Sequence, residues 1–416
     1  MVWLLFLILI PIANAAWEEY QSSLDNSGRV NGTGYFHSRT ITEITNNADG
    51  MKYQPMSADM DNDGHNEVVI FSGNYLKIFD GGLNLIDEYR IGNLEGQFDI
   101  ENMDSDPYIE IVSVANNSGK NSFTIVAYNG STFLIKKSFD VTNQNGNAHI
   151  RCSIWNGSKT CIYKDYNGIV HGYTIRANST SDDILNINIS EGKTSATNIV
   201  PAILDFNQDN KNDACFLHND FVKCINDDSI ITFNISLEKE PSGLAIAQLD
   251  IDNYEVITAV SHIYDGFWNY QKYKSKLYVY NANGTLKFQK EYKQPSNDYV
   301  YHIGEPLVLD YDGDGFLDVC SLVSYDTTNI GSGNKAYCYS ANGTMLFESP
   351  ASNGNFSYFN NKLADMDDDG VLELISRNAI VEINITRVIK KLGSEDNGEF
   401  IVTDIDSNNG LDIVWT

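Results

Sequence analysis

The chain has 416 residues, of which 56 are acidic and 28 basic, so its formal net charge is −28. This excess of acid argues against nucleic acid or an anionic membrane as a partner, because both would repel the protein. A chain of this length suffices for two ordinary domains or for one large repeat array.

The first fifteen residues resemble a secretory signal peptide. Residues 2–10 are all apolar, and Ala13-Asn14-Ala15 has the small-x-small form of a cleavage site. The apolar run is shorter than the roughly 20 residues of a membrane-spanning helix, and retention as an uncleaved anchor is the alternative. Eleven Asn-x-Ser/Thr sequons agree with export. We expect a signal peptide over residues 1–15, one domain over residues 16–416, no stable membrane span after cleavage, and a secreted or cell-surface location.

A short acidic pattern, Asp-x-Asp-x-Asp-Gly-x-x-Asp/Glu, recurs along the rest of the chain. A shortened copy contains Asp250, Asp252 and Glu255, and an eighth position between Cys152 and Cys161 keeps Asn156-Gly157 without acids. In the six better copies, positions one, three, five and nine are Asp59, Asp61, Asp63 and Glu67; Asn102, Asp104, Asp106 and Glu110; Asp205, Asn207, Asp209 and Asp213; Asp310, Asp312, Asp314 and Asp318; Asp365, Asp367, Asp369 and Glu373; and Asp404, Asp406, Asn408 and Asp412.

The eight positions start at intervals of roughly 40 to 60 residues, the length of a four-stranded propeller blade. Each acidic loop lies between two short apolar runs rich in β-branched residues, such as residues 306–309 and 319–322. A third strand follows, as in residues 277–280, and then an Asn-Gly turn and a fourth strand. The pattern predicts an all-β fold, a β-propeller of four-stranded blades.

We favour eight blades, with seven as the alternative. The last acidic copy is followed by sequence for only one more strand, which would leave an exposed edge. We therefore expect strands from the N-terminal segment, residues 17–45, to complete that blade, so that pairing of N- and C-terminal strands closes the ring.

The acidic loops have the ligand chemistry of a hard cation. Calcium fits best, because it takes about 6–8 oxygen ligands in flexible geometry. An EF-hand is excluded, since its twelfth-position Glu is replaced by residues such as Ile70, Phe216 and Ser321. Asp, Asn and Gly also form good turns without metal, but that alternative explains one loop better than six in register. We expect about five or six structural Ca²⁺ ions.

This series of loops resembles the FG-GAP/VCBS repeats of the integrin α-subunit head and of calcium-binding fungal and bacterial propellers. The resemblance covers nearly the whole mature chain. It implies that the loops are structural and that each one ties together the first two strands of a blade.

The six cysteines fall into three close pairs in an exported chain, which predicts the disulfides Cys152–Cys161, Cys215–Cys224 and Cys320–Cys338. Cys215 and Cys320 each follow a ninth-position acid by two residues, and their partners fall in the next predicted strand. Cys152 and Cys161 bracket the copy that has no acids. We hypothesise that their disulfide substitutes for calcium there.

One connection between predicted strands is long and aromatic, and we expect it on the face opposite the acidic loops. Exposed aromatic side chains on rigidly supported loops are suited to contact sugars or proteins; the alternative is that they pack against one another over the blade. The candidate ligand face comprises Tyr264, Phe267, Trp268, Tyr270, Tyr273 and Tyr301.

These features favour an adhesion or recognition module whose partner is an extracellular protein or glycan. We do not expect catalysis, because the carboxylate clusters are accounted for as calcium ligands. The seven histidines show no HExxH spacing, and no GxSxG element occurs. The alternative is a polysaccharide-acting enzyme such as a lyase, because calcium-binding propellers occur among polysaccharide lyases.

Overall fold

The computed structural model describes residues 29–33, 55–117, 120–141, 148–191, 200–239, 241–250, 254–264, 273–292, 299–326 and 333–349, and the strands at 362–365, 373–376, 379–382, 387–391, 400–403 and 412–415. These residues form eight β-sheets and one short 3₁₀ turn, Thr180–Asp182. The predicted all-β class is confirmed. The predicted signal peptide lies outside the described residues.

We number the sheets in chain order, except that the first strand, β1 (Arg29–Thr33), belongs to sheet 7. Sheet 1 contains β2 (Met56–Ala58), β3 (Glu67–Ser72), β4 (Tyr75–Phe79) and β5 (Leu85–Arg90). Sheet 2 contains β6 (Asn93–Leu94), β7 (Asp99–Glu101), β8 (Glu110–Asn117), β9 (Lys120–Tyr128) and β10 (Phe133–Val141). Sheet 3 contains β11 (Ile150–Trp155), β12 (Ser158–Lys164), β13 (Ile169–Thr174) and β14 (Ile187–Asn188). Sheet 4 contains β15 (Ala202–Leu204), β16 (Asp213–His218), β17 (Phe221–Ile225) and β18 (Ile231–Ser236).

Sheet 5 contains β19 (Pro241–Ala247), β20 (Glu255–Tyr264), β21 (Tyr273–Asn281) and β22 (Leu286–Tyr292). Sheet 6 contains β23 (Tyr299–Ile303), β24 (Leu307–Leu309), β25 (Asp318–Asp326), β26 (Gly333–Tyr339) and β27 (Met345–Glu348). Sheet 7 adds β28 (Lys362–Asp365), β29 (Glu373–Ser376), β30 (Ala379–Glu382) and β31 (Arg387–Lys391). Sheet 8 has two described strands, β32 (Phe400–Thr403) and β33 (Asp412–Trp415).

The sheets have the predicted four-strand meander. In sheets 1, 3, 4 and 5, four strands pair antiparallel in chain order. Sheets 2 and 6 differ only in that the first strand is split in two: β6 and β7 both pair with β8, and β23 and β24 both pair with β25. The N-terminal strand β1 pairs in parallel with β28, so its observed partner is in sheet 7. Pairing of an N-terminal strand with sheet 8 is not seen among the described residues.

The first strands of successive sheets lie side by side. β2 contacts β7, β7 contacts β11, β11 contacts β15, β15 contacts β19, and β19 contacts β24. The hydrophobic cores lie between neighbouring sheets: one cluster joins Val69 of sheet 1 to Ile111 of sheet 2, and another joins Ile162 of sheet 3 to Phe216 of sheet 4. Each of these sheets therefore packs face to face against the next.

This packing explains the sequence pattern of the strands. A second strand such as β3 or β16 has a neighbour on both faces, so every residue in it is buried, and a continuous apolar run results. The fourth strands lie at the sheet edge and are more exposed, as in β5 and β18. The short apolar runs that flank the acidic pattern are thus inner strands.

Candidate metal centres in the acidic loops

Each acidic copy in the described residues joins the first strand of a sheet to the second, as predicted. We name the loops by sheet: loop 1 (59–67), loop 2 (102–110), loop 4 (205–213), loop 5 (250–255), loop 6 (310–318), loop 7 (365–373) and loop 8 (404–412). The interiors of loops 7 and 8 and residues 251–253 of loop 5 lie outside the described residues. Asp365, Glu373 and Asp412 are at strand ends beside loops 7 and 8.

In loops 1, 4 and 6 the first carboxylate organises the turn. In loop 1, the two oxygens of Asp59 accept the N–H groups of Asp63 (2.9 Å) and Gly64 (3.0 Å). Asp205 does the same for residues 209 and 210 (2.9 and 2.8 Å), and Asp310 for residues 313 and 315 (2.9 and 3.0 Å). The sixth position of each loop has φ between +67° and +93°, which Gly and Asn adopt most readily.

The ninth-position acid is buried and closes the loop. In loop 1, Glu67 Oε2 accepts the Met60 N–H at 2.8 Å, and in loop 6 Asp318 Oδ2 accepts the Tyr311 N–H at 2.9 Å. Burial raises the pKa of Glu67 to about 7 and that of Asp318 to about 6, and neighbouring loop carboxylates add to both increases. Burial likewise raises the pKa of Asp213 in loop 4 to about 6. A cation among these oxygens would favour the ionised carboxylates.

Three groups of carboxylates are close enough to share an ion. In each group, one oxygen per residue lies within 4.8 Å of the others; the groups are Asp59, Asp61 and Glu67; Asp104, Asp106 and Glu110; and Asp310, Asp312 and Asp318. In loops 1 and 6 the fifth-position acids lie outside these groups: Asp63 accepts the His65 N–H (2.9 Å) and Asp314 the Phe316 N–H (2.8 Å). In loop 4, Asp209 similarly accepts the Lys211 N–H at 3.0 Å.

The donor set fits calcium. All the grouped donors are oxygens, and ligands about 2.3–2.6 Å from a shared Ca²⁺ ion would be at most about 5 Å apart, in agreement with the 4.8 Å spread. In loop 1, Asp61 Oδ1 is buried and has no hydrogen-bond partner, which is costly for a carboxylate oxygen unless a cation is bound.

Loop 2 has a different backbone path, and its carboxylates face a lysine from the fourth strand of the sheet. Its sixth position is Pro107, whose ring holds φ negative, and Asn102 donates its side-chain amide to the Asp106 carbonyl (3.2 Å). The Lys136 ammonium, from β10, donates to Asp106 and to Asp104 Oδ2 (3.1 Å) and lies 3.8 Å from Glu110 Oε1. Burial opposes ionisation of Lys136, but these acids raise its pKa overall.

The acids of loop 5 face a second lysine, also from a fourth strand. The Lys287 ammonium, from β22, donates to Asp250 Oδ2 (2.6 Å) and to Glu255 Oε1 (2.5 Å), while Glu255 Oε2 accepts the Leu249 N–H at 2.9 Å. The sequence pattern did not identify Lys136 or Lys287. Both lysines lie near the start of a fourth strand. That shared position can be recognised only when the register of the strands is known.

The three predicted disulfides are all present. Cys215–Cys224 and Cys320–Cys338 each link the second strand of a sheet to the third, in sheets 4 and 6. Cys152–Cys161 links the first strand of sheet 3 to the second, across a two-residue turn in which Asn156 and Gly157 both have positive φ. This disulfide therefore joins the same two strands that an acidic loop joins elsewhere.

The structure describes only part of the predicted ligand face. Tyr264 and Tyr273 are the closing pair of the β20–β21 hairpin, and Tyr301 is in β23, which contacts both of those strands. Phe267, Trp268 and Tyr270 lie outside the described residues, and the side chains of the other three tyrosines are not described.

Comparisons with known proteins agree with this architecture. Residues 310–376, from loop 6 to the end of β29, match the model of the FG-GAP-like repeat. No curated protein sequence matches the chain. Among solved structures, the chain is similar to the V. cholerae biofilm matrix protein Bap1, with 11% identity over 92% of this chain and 86% of that one, and a TM-score of 0.53.

The chain is also similar to the Bacillus licheniformis rhamnogalacturonan lyase PL11, with 12% identity over 88% of this chain and 69% of the lyase, and a TM-score of 0.52. The Dos1 propeller matches with 12% identity over 82% and 81% of the two chains and a TM-score of 0.48. At such identities the similarity to solved structures shows the fold alone. The predicted resemblance is confirmed for residues 310–376, which match the FG-GAP-like repeat.

Proposed function

We propose that this chain is a secreted or cell-surface, calcium-stabilised β-propeller, whose eight blades close into a ring, and that it recognises an extracellular protein or glycan. The observation that carries the proposal is that the two ends of the sheets have different features. The acidic loops occupy one end, and the longest described hairpin, whose connection is aromatic, extends from the other.

Closure into a ring of eight is supported by contacts between first strands. β2 of sheet 1 lies against β7 of sheet 2 and also contacts β32 of sheet 8. An inner strand with neighbours on both sides is what a closed ring requires. Under this proposal, sheet 8 lies between sheets 7 and 1.

Assignment of the two ends follows from the meander. A strand 1–2 connection and a strand 2–3 connection lie at opposite ends of an antiparallel sheet. At the end opposite the acidic loops, β3 and β4 are joined by two residues and β16 and β17 by two, whereas β20 and β21 are joined by the eight residues 265–272. The long connection contains Phe267 and Trp268.

The base of this hairpin is anchored to the next sheet. Ser261 of β20 donates its hydroxyl to the Ile303 carbonyl (3.3 Å) and accepts the Ile303 N–H (3.0 Å), and Ser242 of β19 also donates to that carbonyl (2.9 Å). These bonds hold β23, which carries Tyr301, beside the hairpin. Aromatic residues on a rigid support suit recognition, because little conformational entropy is lost on binding.

A non-catalytic role and an extracellular location are part of the proposal. Most of the buried loop carboxylates already have structural partners in backbone N–H groups or lysines. Three disulfides favour an oxidising compartment. No helix among the described residues is long and apolar enough to cross a membrane.

Binding of the full chain to a glycan array and to cell-surface protein extracts would test the role. We expect binding that Trp268→Ala weakens at least tenfold and that Tyr75→Ala leaves unchanged. Tyr75 is an exposed aromatic residue at the start of β4, beside the short β3–β4 connection, and this connection lies at the corresponding end of sheet 1. Equal loss in both variants, or no binding to any surface component, would contradict the proposal. Cleavage of an acidic polysaccharide by the purified chain would instead establish the lyase alternative.

A further inference from the structure

The two lysines that face acidic loops, Lys136 and Lys287, occupy the same structural position in their sheets. Each fourth strand of sheets 1, 2, 4, 5, 6 and 7 contains one extra residue, a β-bulge, opposite the same point of the third strand. The acidic loop marks that point. The first and second residues after the ninth-position acid pair with two successive residues of the third strand. The extra residue of the fourth strand lies between the partners of those two third-strand residues. In sheet 2, for example, Ile111 pairs with Val126, Val126 pairs with Ile135, and Lys136 is the bulge.

The residue at this bulge differs between sheets in a consistent way. It is Ile86 in sheet 1, Thr232 in sheet 4, Leu346 in sheet 6 and Ile389 in sheet 7. It is lysine, Lys136 and Lys287, in sheets 2 and 5. An uncharged residue thus accompanies the acidic loops of full length with Gly or Asn at position six.

The lysines accompany the two loops that depart from the pattern. Loop 2 has Pro107 in place of Gly, and loop 5 is shorter than the others. A calcium ion needs several oxygens placed around it, and this requirement constrains the loop backbone. A loop that faces an ammonium group needs only two or three acceptors, so its backbone is free to change.

The ammonium groups lie where a metal ion would be. Lys136 faces the same three carboxylates of loop 2 that are close enough to share an ion, and Lys287 reaches the ninth-position acid of loop 5. A divalent cation bound to those oxygens would be within about 4 Å of the ammonium, where like charges repel strongly in a partly buried site. Lysine and calcium therefore exclude each other.

We infer that Lys136 and Lys287 are built-in cations that take the place of calcium, so that sheets 2 and 5 are fastened without metal. The inference deepens the proposed function, since it rests on calcium binding by the remaining loops. Among the acidic loops whose interiors the structure describes, calcium sites are then confined to loops 1, 4 and 6. In sheet 3 the Cys152–Cys161 disulfide has this role. The first two strands of a sheet are thus held together by calcium, by a lysine or by a disulfide, depending on the sheet.

Exchange of the bulge residue tests the inference in both directions. The full chain is stripped with a chelator, and its calcium stoichiometry is measured by titration calorimetry beside its melting temperature in chelator. We expect Lys136→Met to bind about one more Ca²⁺ per chain than wild type and to melt several degrees lower in chelator, with recovery in calcium. The matched control is Lys137→Met, because Lys137 is adjacent on β10 and contacts Asn178 instead; it should change neither quantity.

The reverse exchange, Ile86→Lys, should remove about one bound Ca²⁺ per chain without lowering the melting temperature in chelator. An unchanged stoichiometry in both Lys136→Met and Ile86→Lys would overturn the inference. If the wild-type chain binds no calcium, the proposed role of the other loops fails. Even then, a lower melting temperature of Lys136→Met than of Lys137→Met in chelator would support the role of Lys136 in stabilising loop 2. Equal melting of those two variants would overturn that as well.

Discussion

Removal of the Cys152–Cys161 disulfide is expected to destabilise the chain by an amount that does not depend on calcium. The two cysteines are nine residues apart, and the loss of loop-closure entropy predicts a cost of about 2.6 kcal/mol for a loop of this length. Both side chains are buried in the cluster between sheets 2 and 3, so replacement by Ala leaves a small void that adds roughly 1 kcal/mol. The double variant Cys152→Ala/Cys161→Ala should thus lose about 3–4 kcal/mol.

The matched control is Cys215→Ala/Cys224→Ala, which removes a disulfide of the same separation and similar burial. That disulfide is in sheet 4, where loop 4 also has an acidic cluster. We expect both double variants to lose similar stability in calcium. In chelator, the control should lose additional stability because loop 4 and the disulfide restrain the same sheet. Urea unfolding with and without chelator measures both costs. A cost below about 1 kcal/mol for the sheet 3 variant, or a cost that grows in chelator, would refute its role as a calcium substitute.

Two further predictions concern single side chains. Burial opposes the charged form of His171, but hydrogen bonds to Asp165 and Asp183 raise its pKa overall to about 9. Because this pKa is above the value in the unfolded chain, the ion pair stabilises the fold fully below pH ~6.5, and this stabilisation is lost as pH rises to ~9. The free energy of unfolding should change by at most about 3 kcal/mol over this range. His171→Gln should abolish this part of the pH dependence of urea unfolding. Gly130→Ala should destabilise loop 1 by about 1–2 kcal/mol and weaken its calcium binding, because Gly130 has φ +78° and an added Cβ would be 2.8 Å from Asp61 Oδ2.

Each of these predictions has an outcome that would contradict it. For His171, a stability profile that is flat from pH 6.5 to 9 in the wild type would show that the ion pair contributes nothing. For Gly130, the control is Gly157→Ala, which has φ +75° but nothing within 4 Å of the added Cβ. Equal effects of the two glycine variants on calcium affinity would mean that backbone strain, and not contact with Asp61, is responsible.

Local patterns in the sequence were sufficient to predict the four-stranded sheets and the positions of the acidic loops. The reason is that inner strands such as β3 and β16 are buried throughout, so that they are continuous apolar runs separated by turn residues. The cysteine pairs could be predicted because each pair bridges strands that are adjacent in the chain, such as β16 and β17. Register relative to the ninth-position acid then placed Cys215 and Cys320 correctly.

Contacts that depend on register between distant residues could not be predicted in this way. Lys136 is 32 residues from Asp104 in the sequence, and only the bulge in β10 brings its side chain to loop 2. The role of the fifth-position acids was equally hidden, since Asp63 and Asp314 have ligand chemistry but accept N–H groups two residues further along. Parallel pairing of β1 with β28 has no local signal, because the two strands are separated by most of the chain.

The central claim, that calcium ions in the acidic loops stabilise this fold, is tested most directly by the melting temperature of the purified chain in calcium and in chelator. Binding to the folded state alone adds about 2.7 kcal/mol per site at a free calcium concentration of one hundred times Kd. We predict a melting temperature that falls by many degrees in chelator and is restored by added calcium. An identical melting temperature in calcium and in chelator would contradict the claim.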